Sequence, residues 1–111
     1  MLAMAADLSG KTIRWTYADG PMKGKHFEHS FTSDTVTWKE AGGPKPSADS
    51  QANYQFQRIS DDVYVVSYLS SHGFTLTTVV EERSGVIVSF ASNEKELVVQ
   101  RGSLERTGGA A

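Results

Sequence analysis

The chain predicts an all-β fold, a small antiparallel up-and-down β-barrel of about eight strands. Three observations carry this. Side chains alternate with a period of two along most of the length, most clearly in Val63-Tyr64-Val65-Val66-Ser67-Tyr68-Leu69. Turn-forming residues punctuate the alternation at short intervals: Asp19-Gly20-Pro21, Ser33-Asp34, Ser60-Asp61-Asp62, Ser84-Gly85 and Asn93-Glu94. No segment keeps a 3.6-residue apolar period with helix caps. A closed sheet with bulky rings pointing inward either fills its own centre or holds a small molecule there.

The first strand, 11–18, alternates Ile13, Trp15 and Tyr17 with polar neighbours and ends at Asp19-Gly20-Pro21. The second, 24–32, repeats the pattern with Phe27, His29 and Phe31. Ser33-Asp34 reads as a two-residue hairpin turn into the third strand, 35–40. That turn sets Thr32 opposite Thr35, Phe31 opposite Val36 and His29 opposite Trp38. Running back through the first hairpin, Phe27, His29 and Phe31 fall beside Tyr17, Trp15 and Ile13. Residues opposite each other share a face, so Ile13, Trp15, Tyr17, Phe27, His29, Phe31, Val36 and Trp38 form one inward surface.

The stretch Ala41–Ser50, with two prolines and two glycines, excludes regular structure and reads as a long loop, a candidate lid. The fourth strand, 52–59, and the fifth, 63–70, meet at Ser60-Asp61-Asp62. Ile59 then faces Val63, and Tyr54, Phe56 and Arg58 join Tyr64, Val66 and Tyr68. Ser70-Ser71-His72-Gly73 leads into the sixth strand, 74–82. The seventh, 85–92, and eighth, 95–101, meet at Ser92-Asn93, which groups Val86, Val88 and Phe90 with Leu97 and Val99 on the same inner face. A slip of one residue would reverse any of these faces. Residues 1–9 read as frayed or as a lead-in turn and 106–111 as a loose tail, which leaves one domain with an ordered core of about 9–104.

Composition narrows the function classes. At 111 residues the chain can bury a core without a metal or disulfide staple, and with no cysteine it has no thiolate chemistry. Eleven basic residues nearly balance 13 acidic ones, so no basic field gathers nucleic acid. The opening Met1-Leu2-Ala3-Met4-Ala5-Ala6-Asp7 lacks the features of a signal peptide, and no stretch reaches the roughly 20 apolar residues of a membrane helix. The expectation is a cytoplasmic protein with neither nucleic acid nor membrane as partner.

The polar members of the inner face single out the candidate site. A tyrosine hydroxyl or imidazole inside a barrel needs a partner or costs about 1–3 kcal/mol. Tyr17, His29, Tyr54, Tyr64, Tyr68 and Arg58 converge there, which suggests a wet cavity or a ligand with polar atoms, unless they satisfy one another. His29, with an ordinary pKa of about 6.5, is the candidate proton shuttle. Trp15 and Trp38 flank it, as core or as stacking walls for a planar ligand. Arg58 is the one basic side chain of inward parity, placed either to pair with an acidic ligand group or to lie beside its turn. His26 shares the outward parity of Glu28, and His72 lies in a turn. With no carboxylate at ligand spacing, no metal site is expected. No nucleophile elbow, P-loop, dinucleotide fingerprint or zinc-protease motif appears, and no cofactor is implied.

Gly10-Lys11-Thr12-Ile13-Arg14-Trp15-Thr16-Tyr17-Ala18-Asp19-Gly20 resembles the first strand and turn of MoaF-like proteins. Val36-Thr37-Trp38, the run Ile59–Tyr68 and the spacing to Gly73 and Phe74 fit as well, so the resemblance spans about residues 9–100. It implies a calycin-type barrel related in shape to lipocalins. The opening and centre also resemble bacterial phenolic acid decarboxylases. In that family two first-strand tyrosines and an arginine act on the substrate carboxylate, and a glutamate after the central strand is the acid. Here those positions hold Trp15 and Tyr17, Ser70 stands at the glutamate position, and Lys45 is the nearest cation in the Gly/Pro loop. The resemblance therefore carries over the barrel, the aromatic interior and Tyr17, and not the full catalytic set.

Three functions remain open. The first is a small-molecule-binding barrel for a planar or aromatic ligand, with Trp15, Trp38, Tyr54, Phe56 and Tyr64 as walls. Tyr17, His29, Tyr68, Ser70 and Arg58 would be its polar anchors, Arg58 favouring an acidic ligand. The second is a cofactor-independent lyase or isomerase in which Tyr17 or His29 moves a proton. The third is a filled structural barrel that forms a homodimer through exposed edges at Val79 or Val98.

Overall fold

The computed structural model describes residues 8–40, 50–70 and 73–105. Eight strands follow one another: β1 (Thr12–Tyr17), β2 (His26–Phe31), β3 (Thr35–Glu40), β4 (Gln51–Arg58), β5 (Val63–Leu69), β6 (Thr75–Glu81), β7 (Val86–Ser92) and β8 (Leu97–Leu104). Each pairs antiparallel with the next, and β8 pairs with β1, so the sheet closes as an up-and-down barrel. This is the fold that the alternation predicts. The expected lid at 41–50, the turn residue His72 and the tail at 106–111 lie wholly or almost wholly outside the described residues.

Short turns set most of the register. Thr32 N donates to Thr35 O at 2.8 Å, and Phe31 faces Val36 with His29 opposite Trp38. Ile59 N donates to Val63 O at 2.8 Å, and Tyr54, Phe56 and Arg58 face Tyr68, Val66 and Tyr64. Both hairpins match the sequence reading because only one register fits a tight turn.

Two features differ from it. In the first hairpin Trp15 faces Phe27 and Ile13 faces His29, two residues away from the expected pairing. The connection is longer than a tight turn: Tyr17 N donates to Lys25 O and Gly24 N to Tyr17 O, with Gly20 and Gly24 at φ 76° and 83°. A shift of two residues preserves parity, so the inner face survives.

The second difference inverts a face. Phe90 pairs with Val99 as the turn requires, yet both point outward, 38% and 50% exposed. The inner face of β7 is Ile87, Ser89 and Ala91, which face Val80, Thr78 and Leu76 of β6. Both faces of β7 are apolar, so alternation cannot choose between them. Register decides instead: β6 takes its inner parity from β5, with Leu76, Thr78 and Val80 facing Tyr68, Val66 and Tyr64, and the pairing of Val80 with Ile87 passes it on to β7. Ser89 accommodates Tyr17, their hydroxyl oxygens 3.2 Å apart, and Thr78 Oγ1 lies 2.7 Å from Ser89 Oγ.

The β1–β8 seam needs close backbone approach. Gly102 faces Tyr17, and a Cβ there would sit 2.1 Å from Thr16 O. Strand direction places the connections 32–34, 59–62 and 82–85 at one end of the barrel and 18–25, 70–74 and 93–96 at the other. The first end is plugged. Leu8 is 2% exposed there, its N donating to Tyr54 Oη at 3.1 Å, and Tyr54 Oη donates to Thr32 O at 2.8 Å. Phe31 packs edge-on against Tyr54, and Phe56 lies beside Tyr64.

Candidate functional site

The half of the barrel away from the plug is hollow. A cavity of about 480 Å³ lies there, within the range typical of small-molecule sites. Its walls include Tyr17 of β1, Phe27 and His29 of β2, Trp38 of β3, Tyr68 of β5, Leu76 of β6, Ala91 of β7, and Val98 and Gln100 of β8. The rim carries Pro21, Met22, Ser70, Phe74 and Glu96, from three of the connections at this end. The hollow exists because inward positions on the β6–β8 side are small or aliphatic where the facing strands carry rings.

The ten residues singled out from sequence divide between the two halves. Tyr17, His29, Trp38, Tyr68 and Ser70 line the cavity. Trp15 is not on its wall; it stacks on His29 with ring centroids 4.1 Å apart and planes at 20°. Tyr54, Phe56, Arg58 and Tyr64 belong to the plugged half. Arg58 Nη1 reaches Ser60 O at 3.3 Å, Asp61 O at 3.2 Å and Glu82 Oε1 at 3.4 Å, and the guanidinium lies over the rings of Tyr64 and Phe56. This cation serves the β4–β5 turn and does not line the cavity. Of the two residues proposed to mediate a dimer edge, Val98 lines the cavity. The closed ladder leaves no open edge among the described strands.

His29 is 4% exposed and sandwiched among aromatic rings. Burial pushes its pKa from 6.5 down to about 3, because the apolar surroundings penalise the imidazolium. The ring is thus neutral at physiological pH. Its Nε2 lies 3.3 Å from Tyr68 Oη, while Nδ1 finds no partner among the described residues. Burial also pushes the Tyr68 hydroxyl up, with the nearby Tyr17 adding to it, so Tyr68 stays protonated. Tyr68 in turn stacks on Trp38 at 4.8 Å between centroids.

This arrangement is poorly suited to proton transfer. A base with a pKa near 3 holds a proton poorly at pH 7. The Tyr17 hydroxyl is occupied by Ser89, and Ser70 at the position of the decarboxylase acid offers no carboxylic proton. The outward His26 pairs with Glu105, Nδ1 to Oε2 at 2.6 Å, and Arg14 pairs with Glu28 at 2.7 Å. Among the described residues no group of three His, Asp or Glu side chains is placed to hold a metal ion.

Sequence reasoning missed the β8 wall and most of the rim. Gln100 is 6% exposed, and its Oε1 accepts from Met22 N at 2.8 Å. Asp19 Oδ1 likewise accepts from Arg101 N at 2.8 Å, so β8 pins the 18–25 connection at the mouth. Gly20 is required in that contact: beyond its positive φ, a Cβ would meet Gln100 Cγ at 2.7 Å. The one available signal was a lone glutamine within an otherwise apolar alternation, Leu97-Val98-Val99-Gln100.

The fold has a solved counterpart. A candidate beta-lactamase from Burkholderia vietnamiensis superposes with a TM-score of 0.72 at 17% identity, covering 95% of this chain and 100% of that one. At that identity the likeness is one of fold. No curated protein matches the sequence significantly. No helix among the described residues is long and apolar enough to cross a membrane. The MoaF N-terminal domain model matches residues 1–96, nearly the whole barrel, and the chain belongs to that family.

Proposed function

We propose that this protein is a small-molecule-binding barrel whose ligand is a planar aromatic compound held in the hollow half. One observation carries the reading: a cavity of about 480 Å³, walled by Phe27, Trp38, Tyr68 and Leu76, in a barrel whose other half is solid with side chains. A concave, mostly apolar hollow of this size with a few polar groups in it is the usual form of a small-molecule site. Flat walls formed by the stacked Trp38–Tyr68 pair suit a flat ligand. The neutral His29 and protonated Tyr68 supply polar contacts without a buried charge. The low His29 pKa and the occupied Tyr17 hydroxyl favour binding over lyase or isomerase chemistry.

The test is titration with the neutral probe N-phenyl-1-naphthylamine. Its emission should rise on entering an apolar cavity, with energy transfer from Trp38. Ala91→Phe, which fills the hollow from the β7 wall, should abolish the rise. Failure of the probe and of other neutral aromatics to bind the folded parent protein would refute the proposal.

A further inference from the structure

The charge pattern around the cavity defines the class of ligand more narrowly, an inference that rests on the binding role proposed above. Glu96 carries the only carboxyl group, and there is no lysine or arginine, among the described residues that line it. Arg58, the expected anchor for an acidic ligand, is held in the opposite half by Glu82 and two turn carbonyls. A carboxylate brought into this cavity would leave water with no lysine or arginine among the described lining residues to meet it. It would also meet Glu96 at the mouth. Both effects oppose binding.

A cation meets the reverse situation. Aromatic faces carry negative charge density that attracts a cation within about 6 Å of the ring centre. Four aromatic residues, Phe27, Trp38, Tyr68 and Phe74, line the hollow. Glu96 lies in the β7–β8 turn, where Asn93 Oδ1 accepts from Glu96 N at 2.7 Å and Asn93 N donates to Glu96 O at 3.0 Å. The turn is built by backbone and Asn93 groups, so the Glu96 carboxylate has no part in those bonds.

We propose that the cavity selects aromatic ligands bearing one positive charge, the ring against Trp38 and Tyr68 and the ammonium group at Glu96.

The experiment compares three probes of similar shape by calorimetry: 2-phenylethylamine, 2-phenylethanol and phenylacetate. The amine should bind three- to tenfold more tightly than the alcohol, and phenylacetate more weakly than either. In Glu96→Gln the amine should fall to the affinity of the alcohol. Glu96→Lys should reverse the order, with phenylacetate ahead of the amine. Equal binding of amine and phenylacetate, or an amine preference that survives Glu96→Gln, would overturn the charge selection while the alcohol still reports a binding cavity. If none of the three binds while N-phenyl-1-naphthylamine does, the charge selection fails and the binding role stands; if that probe fails as well, the binding role itself fails.

Discussion

Replacing His29 with glutamine should flatten the acid limb of the protein's stability curve. In the folded state burial holds the imidazole neutral down to about pH 3, whereas in the unfolded chain it takes up a proton near pH 6.5. The unfolded state thus binds more protons between these values. The His29 contribution is fully present above pH 6.5 and is lost as pH falls from there towards 3. At pH 5.0, about one and a half pH units below the unfolded value, the loss at about 1.4 kcal/mol per unit is about 2 kcal/mol. Because His29 is 4% exposed, solvent screening reduces this little. Urea unfolding at pH 7.5 and 5.0 measures it as a difference of differences. The parent should lose about 2 kcal/mol more than His29→Gln over that interval. The remaining titrating groups, Glu105 among them, are common to both proteins and cancel. Equal pH slopes would refute the reasoning, since a buried neutral histidine cannot be silent in acid.

Further outcomes test separate parts of the structure. Gly102→Ala drives a methyl group to 2.1 Å from Thr16 O, so the β1–β8 seam must open or shift. Thermal melting should show a loss of at least about 1–3 kcal/mol, the usual scale of overpacking. Leu8→Ala empties the plug at a residue 2% exposed and should cost about 2–5 kcal/mol by urea unfolding, with probe binding in the opposite half retained. Arg58→Met should likewise destabilise the protein without weakening the neutral probe. Loss of probe binding in a folded Arg58 variant would place that cation in the site after all.

The sequence revealed the strand number, the closed antiparallel fold and the inner parity of β1 to β5. Ser33-Asp34 and Ser60-Asp61-Asp62 leave one register each, and polar residues alternate with rings on these strands. The first hairpin was less legible. Its connection folds through Gly20 and Gly24 in left-handed conformations, and neither spacing nor composition reveals how many residues the turn absorbs. β7 and β8 misled for another reason. Val86, Val88 and Phe90 look like core by size, but their parity is set by the β6–β7 register, in which Val80 faces Ile87, and not by their own composition. Ala91, Val98 and Gln100 then line the hollow, a consequence of register that no single strand records. Arg58 shows a related limit: inward parity was read correctly, but the depth along the barrel axis, which separates a turn brace from a ligand anchor, depends on strand stagger.

The outer surface left by the inversion bears on assembly. With the barrel closed, a homodimer would have to use a sheet face rather than an edge. The outward Val79, Val88, Phe90 and Val99 form neighbouring cross-strand pairs on β6 to β8. Light scattering across a concentration series, with Phe90→Lys for comparison, reads this directly. A dimer through that face dissociates in the variant; a dimer unaffected by it lies elsewhere.

The most direct measurement of the central claim is a two-dimensional NMR titration with 2-phenylethanol, following aromatic and methyl signals from both halves of the barrel. A ligand-holding cavity predicts shifts concentrated at Phe27, Trp38, Tyr68 and Leu76, with Phe56, Tyr64 and Leu8 still. Shifts confined to the outward Phe90 and Val99, or none at saturating ligand, would contradict it.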